Sequence, residues 1–222
     1  MHWIVIVFWV AVPLLIGSGI VWSMVAEQKR KKAMEQAATE LGLAFSEKLS
    51  DEEQGLFSNF AIAQMGKSQA TSNAITADSG ELRMVIFDHV YTVGSGKNKS
   101  THQQSIVMCS SPMLQLPQFS LAPEYFFHRI ADFLGYKDID FEDDEAFSKQ
   151  FLLKGADEAA VRELFNAQRR GAFMKFTDVT IEGLGHTFIF YQARKRRGVE
   201  QLRELMESGF GVFASLSNTQ PV

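Results

Sequence analysis

Residues Leu82 to Val93 read LRMVIFDHVYTV, a run dense in β-branched and aromatic side chains and free of Gly and Pro. Such residues fit a pleated, half-buried surface, so the run predicts a long strand. Asp78-Ser79-Gly80 before it is a turn, and Ala70 to Ala77 then reads as the preceding strand. Thr101 to Cys109 closes a hairpin across Gly94 to Ser100. Pro112 and Pro117 mark a loop that leads into Gln118 to Leu121.

Further along, strands and helices alternate. Pro123-Glu124 suits a helix start, and Phe126, Phe127, Ile130, Phe133 and Leu134 follow at helical spacing. Asp138 to Phe141 and Phe147 to Leu153 read as short strands. Asp157 to Phe165 reads as an amphipathic helix with Val161, Leu164 and Phe165 inward. Ala172 to Glu182 and His186 to Ala193 are two more strands joined at Gly183-Leu184-Gly185. A last helix runs from Val199 to Leu216, weakened at Gly209 and Gly211. Strands in a run, then strands mixed with helices, give an α+β class: an antiparallel sheet with helices packed on one face. Phe87, Ile130, Phe133, Leu164 and Phe165 are the expected core.

On the N-terminal side, Ser50-Asp51-Glu52-Glu53 has the spacing of a capping box and opens a short helix toward Phe57. Glu27 to Leu41 is rich in helix formers and ends at Gly42. Before it, Trp3 to Ala26 (WIVIVFWVAVPLLIGSGIVWSMVA) carries no ionisable side chain. About 24 residues make a helix of roughly 36 Å, against about 30 Å of hydrocarbon, so the expectation is an N-terminal transmembrane helix with Trp3 and Trp22 as interfacial anchors. A signal peptide would need its positive charge ahead of the apolar run. Here Lys29, Arg30, Lys31 and Lys32 come after it, so the positive-inside rule places the C-terminal domain in the cytoplasm of a single-pass inner-membrane protein. The expected division is an anchor over residues 1–26, a juxtamembrane basic helix over 27–42, a cytoplasmic α+β domain over 43–218 and a disordered tail over 219–222. Gly17, and Gly19 with Ser23 four residues on, would let a second helix approach closely, which allows a homodimer.

The 222 residues carry a formal net charge of −4 with both signs interspersed, so the global basic field of a nucleic-acid binder is missing. The single cysteine, Cys109, cannot form an internal disulfide and sits in an apolar run, where it reads as a small buried hydrophobe. Gly94-Ser95-Gly96-Lys97 has the glycines and lysine of a phosphate loop, but Tyr91 stands where the first Walker glycine belongs and no Ser or Thr follows Lys97. A basic hairpin tip is the better reading. The acidic run Asp138 to Glu145 (DIDFEDDE) offers carboxylates to a hard cation, yet it lacks the glycine and terminal glutamate of a calcium loop and reads as solvated.

His2, His89, His102, His128 and His186 form no metal-ligand pair, and no G-x-S-x-G elbow is present. No catalytic residue, cofactor or metal is therefore assigned. The second basic cluster, Arg194, Lys195, Arg196 and Arg197, lies between the last strand and the last helix. With Lys29 to Lys32 it is the candidate contact for membrane lipid or a membrane-associated partner, since each cation near an anionic leaflet contributes about 1 kcal/mol.

The stretch Val85-Ile86-Phe87-Asp88-His89-Val90-Tyr91 with Gly94-Ser95-Gly96-Lys97-Asn98, then Phe119-Ser120-Leu121-Ala122-Pro123-Glu124 leading into Phe127-His128, resembles a family of bacterial single-pass membrane-anchored proteins of unknown function. The resemblance continues through Gly135 to Phe141, Phe147-Ser148, Gly155 to Glu158, Val161 to Phe165 and Ile181-Glu182-Gly183, covering most of residues 82–185. It implies a bacterial origin and a membrane location, and it carries over no catalytic residue. Three functions follow from the residues: a binding or scaffolding module, a membrane-tethered enzyme using carboxylates of the 138–145 loop on a small or lipid-derived substrate, and a sensor of anionic lipid.

Overall fold

The computed structural model describes the backbone of residues 2–123 and 136–217, and the side chains of residues 21–123 and 136–217. Helix α1 (His2–Leu41) leads into β1 (Ala44–Ser46) and α2 (Asp51–Phe57). A meander of β2 (Ser68–Asp78), β3 (Arg83–Val93) and β4 (Ser100–Ser110) follows, then β5 (Leu116–Pro123). Next come α3 (Glu145–Gln150), β6 (Phe151–Gly155), α4 (Glu158–Leu164) and α5 (Ala167–Phe173). The described chain ends with β7 (Thr180–Gly185), β8 (Thr187–Tyr191) and α6 (Leu202–Leu216).

All eight described strands join one antiparallel sheet in the order β1-β2-β3-β4-β8-β7-β5-β6. Side chains alternate across a strand, so β3 feeds two cores. Met84 and Ile86 join Val107, Phe188 and Phe190 in one. Val85 and Phe87 join Ile106, Met108 and Ile189 in the other. The first core is closed by Met34 and Ala38 of α1 and by Leu205, Val212 and Phe213 of α6, the second by Phe57 of α2 and Phe60 to Ile62. Helical cover on both faces corrects the one-face expectation, because a strand buried on both sides needs apolar cover on both.

The α+β class and antiparallel sheet stand, but the transmembrane helix does not. Among the described residues no helix is long and apolar enough to cross a membrane. From Val21 onward α1 carries Glu27, Lys29, Arg30, Lys31, Lys32, Glu35 and Glu40, and buries Met34 and Ala38 against the sheet. The described part of the expected span, Val21 to Ala26, runs straight into this charged segment, which Arg30, Met34 and Ala38 hold against the sheet. The descriptions "membrane" and "single-pass" are corrected with it. Trp3, Gly17 and Gly19 lie outside the described side chains. The tail at 219–222 lies outside the described residues altogether.

Several local expectations hold. Ser50 caps α2 as predicted: its Oγ accepts from Glu53 N–H at 3.3 Å while the Glu53 carboxylate accepts from Ser50 N–H at 2.8 Å. Phe87, Leu164 and Phe165 are buried, whereas Ile130 and Phe133 lie outside the described residues. Pro123 closes β5, so the expected helix does not start there, and its continuation from Glu124 also falls outside the described residues. Phe147 to Leu153 splits into α3, capped by the Asp144 carboxylate at Phe147 N–H (3.1 Å), and then β6. Asp138 to Phe141 contributes one isolated bridge, Asp138 to Lys154. Ala172 and Phe173 end α5, and β7 begins only at Thr180.

Gly209 does not interrupt α6. A Cβ there would stand 2.9 Å from Val107 Cγ1 and 3.1 Å from Met84 Cε. The missing side chain lets the helix lie directly on β3 and β4.

Candidate functional site

Asp88 lies on the β3 face that looks toward α1 and is 1% exposed. Its carboxylate accepts five hydrogen bonds from four side chains. Arg30 binds it at two points, Nε to Oδ2 at 3.0 Å and Nη2 to Oδ1 at 2.9 Å. Arg196 Nη2 donates to Oδ2 at 2.9 Å, Asn73 Nδ2 to Oδ2 at 3.1 Å and Ser105 Oγ to Oδ1 at 3.2 Å. Burial pushes the carboxyl upward, but the two guanidinium groups outweigh it and hold Asp88 below its usual range.

Arg196 also forks onto Glu27 of α1, at 2.6 and 2.7 Å, and this bond holds the Glu27 carboxyl low. Arg30 Nη1 donates to the Arg197 carbonyl at 2.6 Å. The 194–197 turn is sewn to β4: Ser105 N–H donates to Lys195 O, Arg197 N–H to Ser105 Oγ, and Arg194 N–H to Gln104 Oε1. Both predicted basic clusters thus meet around Asp88, at the point within α1 where the helix reaches the sheet, which is the foot of its N-terminal part.

They divide their work there. Arg30 and Arg196 face buried carboxylate, Lys31 pairs with Glu47, and Arg197 reaches Glu204 at 3.7 Å. Lys29, Lys32 and Lys195 are exposed, whereas Arg194, exposed as well, hydrogen-bonds the Tyr91 hydroxyl on the sheet face opposite α1. Just ahead of them, α1 leaves Val21 60%, Trp22 80%, Met24 64% and Val25 48% exposed. Exposed apolar side chains followed by exposed lysines form the candidate contact surface.

The acidic loop is engaged in ion pairs. Asp143 and Asp144 bind Arg170 at 2.8 and 2.9 Å, and its guanidinium lies over the Phe141 ring, 4.1 Å from the centroid. Asp138 pairs with Lys154 and Glu145 with Lys149. Among the described residues no group of three His, Cys, Asp or Glu is placed to hold a metal. His128 lies outside the described residues, and His186 Nδ1 meets the Leu114 carbonyl. His186 borders an open cleft of about 1140 Å³ whose polar residues include Asp157, the cap of α4, and Arg169, which donates to the Leu164 carbonyl.

The other face of the sheet buries two groups that the sequence did not single out. Glu182 is 3% exposed; it accepts from Ala61 N–H at 2.6 Å and from Tyr191 Oη at 2.9 Å. Burial pushes its carboxyl up to about 7. His89 is fully buried between Phe57 and Tyr91, and burial pushes it down to about 4, so it is neutral near pH 7. Gln69 donates its amide to Met65 O, which turns Gln69 Oε1 toward His89 Nε2 at 3.1 Å and makes Nε2 the protonated nitrogen. His89 Nδ1 has no partner among the described residues. Beside it lies a cleft of about 320 Å³ lined by Lys48, Gln54, Phe57, Gln69, Ala70 and Thr71. A strand pattern marks His89 and Glu182 as inward, but only the fold shows what they face.

No protein-family model matches this sequence, and no curated protein does. The fold is similar to the crystal structure of the mycobacterial trehalose monomycolate transport factor A, TtfA, with a TM-score of 0.55 over 86% of this chain and 98% of that chain. Sequence identity is 8%, so the likeness shows a shared fold alone.

Proposed function

We propose that this chain is a binding module that makes contact with lipid through the foot of α1 and the turn clasped to it. The observation that carries this reading is the surface itself: Val21, Trp22, Met24 and Val25 exposed, with Lys29 and Lys32 exposed further along the same helix and Lys195 exposed on the turn clasped to it. An indole partitions between acyl chains and headgroups, and nearby cations attract anionic headgroups, so the two effects add. The Arg196–Glu27 pair brings the 194–197 turn to the helix. A fold shared with a trehalose monomycolate transport factor supports a lipid-related role. The enzyme reading loses support because Asp138, Asp143, Asp144 and Glu145 each face a cation of the fold.

The test is sedimentation of the full chain with phosphatidylcholine vesicles, with and without phosphatidylglycerol, at low and moderate salt. Binding is expected to favour the anionic vesicles and to weaken with salt. Changing Lys29, Lys32 and Lys195 together to Gln removes that preference, and Trp22→Ser with Met24→Ser weakens binding to both vesicles. Arg30 and Arg196 stay unchanged because they hold the helix. Equal sedimentation of all forms with both vesicles overturns the lipid contact and returns the protein-scaffold reading.

A further inference from the structure

β2 is eleven residues long, but β1 covers only its far half. Ala44, Phe45 and Ser46 pair with Thr76, Ile75 and Ala74. Asn73 then adopts φ 55°, the register against β3 shifts between Ser72 and Ile75, and Asn73 N–H takes the Glu47 carbonyl as its last bond to that neighbour. Past this point the first chain turns away, because Leu49 packs into the core beneath α2. Ser68 to Ser72 stay paired with β3 on one side, from Ser68–Thr92 to Ser72–Asp88, and no described strand pairs with them on the other.

An open stretch of strand presents a row of backbone donors and acceptors, which another extended chain satisfies. Edges are usually blunted by Lys, Pro or an inward charge, and Ser68-Gln69-Ala70-Thr71-Ser72 has none of these. The space the first chain vacates is the 320 Å³ cleft. Lys48 stands at its rim, and Gln54, whose Oε1 accepts from Thr71 Oγ1 at 3.0 Å, has its amide N–H₂ left to donate. The side chains of an added strand alternate, so every second one points to the cleft side. An ammonium and an amide donor favour a carboxylate there.

We propose that the free edge of β2 at Ser68–Ser72 takes up an extended segment of a partner protein as an added strand, with an acidic side chain of that segment seated between Lys48 and Gln54. This surface is separate from the foot of α1 and does not depend on the lipid contact. The probe is the peptide acetyl-TVTETVT-amide, with Gln and Lys versions of its central residue and a version in which both valines are proline. Amide hydrogen exchange of the full chain is followed with each.

The Glu peptide is expected to slow exchange within residues 68–72 and to bind about tenfold more tightly than the Lys peptide, a difference of about 1.4 kcal/mol. The proline peptide is expected to give no protection. Lys48→Glu, at an exposed position, should reverse the Glu-over-Lys preference while leaving the unfolding midpoint unchanged. Protection of residues 68–72 by none of the peptides overturns the proposal. Equal binding of the Glu and Lys peptides overturns the acidic seat. Protection that grows with protein concentration alone assigns the edge to a second copy of the chain and overturns the partner-segment reading.

Discussion

Arg30 and Asp88, 58 positions apart in the chain, meet in a two-point ion pair at 2.9 and 3.0 Å with the carboxylate 1% exposed. The pair fixes where α1 leaves the sheet, because Arg30 also reaches the Arg197 carbonyl and Arg196 closes the ring through Glu27. Planar guanidinium groups bind carboxylate in a fixed fork, so the clasp sets direction as well as distance.

Breaking that clasp from one side is expected to be costly. Asp88→Ala leaves Arg30 and Arg196 facing each other without their shared anion, and loss of one partner of a buried pair costs about 3–5 kcal/mol. Urea unfolding of Asp88→Ala, Arg30→Ala and the double variant checks this, and the double variant should lose less than the sum of the two. The pH dependence follows from the depressed carboxyl. Stabilisation from Asp88 is fully present above the ordinary aspartate value of about 3.9 and is lost as pH falls through its lower folded value. Asp88→Asn should remove that part of the acid limb.

Glu182 works in the opposite direction. Burial raises its carboxyl to about 7 in the folded chain, so folding favours the protonated form. Its contribution is fully present below the ordinary glutamate value of about 4.3 and is lost as pH rises from there through the folded value. Thermal melts from pH 5 to pH 8 should therefore show a stability loss that Glu182→Gln flattens. The glutamine oxygen still accepts from Ala61 N–H, so the variant should fold. A wild-type profile identical to that of Glu182→Gln contradicts the assignment.

Two glycines should respond to alanine with opposite signs. At Gly183 a Cβ would meet Phe119 Cε1 at 2.2 Å, and Phe119 is held edge-on against Phe165 at 5.0 Å. Overpacking of this kind costs about 1–3 kcal/mol, so Gly183→Ala should lower the unfolding midpoint. At Gly211, in α6, the nearest atom would be Phe176 Cζ at 3.5 Å, an ordinary contact. Alanine there should raise stability by up to about 1 kcal/mol through helix propensity. Chemical denaturation of both variants reads the two signs directly.

Features that depend on neighbours in the chain were legible from the residues alone. Leu82 to Val93 became β3 because alternation and β-branching act locally. Ser50 with Glu53 capped α2 because both bonds of the box form within one turn. Val199 to Leu216 folded as a short 3₁₀ turn and then α6. Asn166 to Phe173 became a helix where a strand was expected in part, because Arg170 meets Asp143 and Asp144 and Phe173 packs into the core, partners that no local pattern contains. The N-terminal stretch shows the limit most plainly. Arg30, Met34 and Ala38 of α1 find their partners on the sheet, and hydropathy along the chain contains none of them.

The roles of the cations were set by long-range packing. Arg30 and Lys29 read alike in sequence, yet one is clasped to Asp88 and the other is exposed. Arg196 and Lys195 divide in the same way. Charge is a property of the residue, but the partner that neutralises it lies 58 or 108 positions away. Only the folding of β3 between α1 and the 194–197 turn brings them within reach, so composition could mark the basic clusters while leaving their roles open.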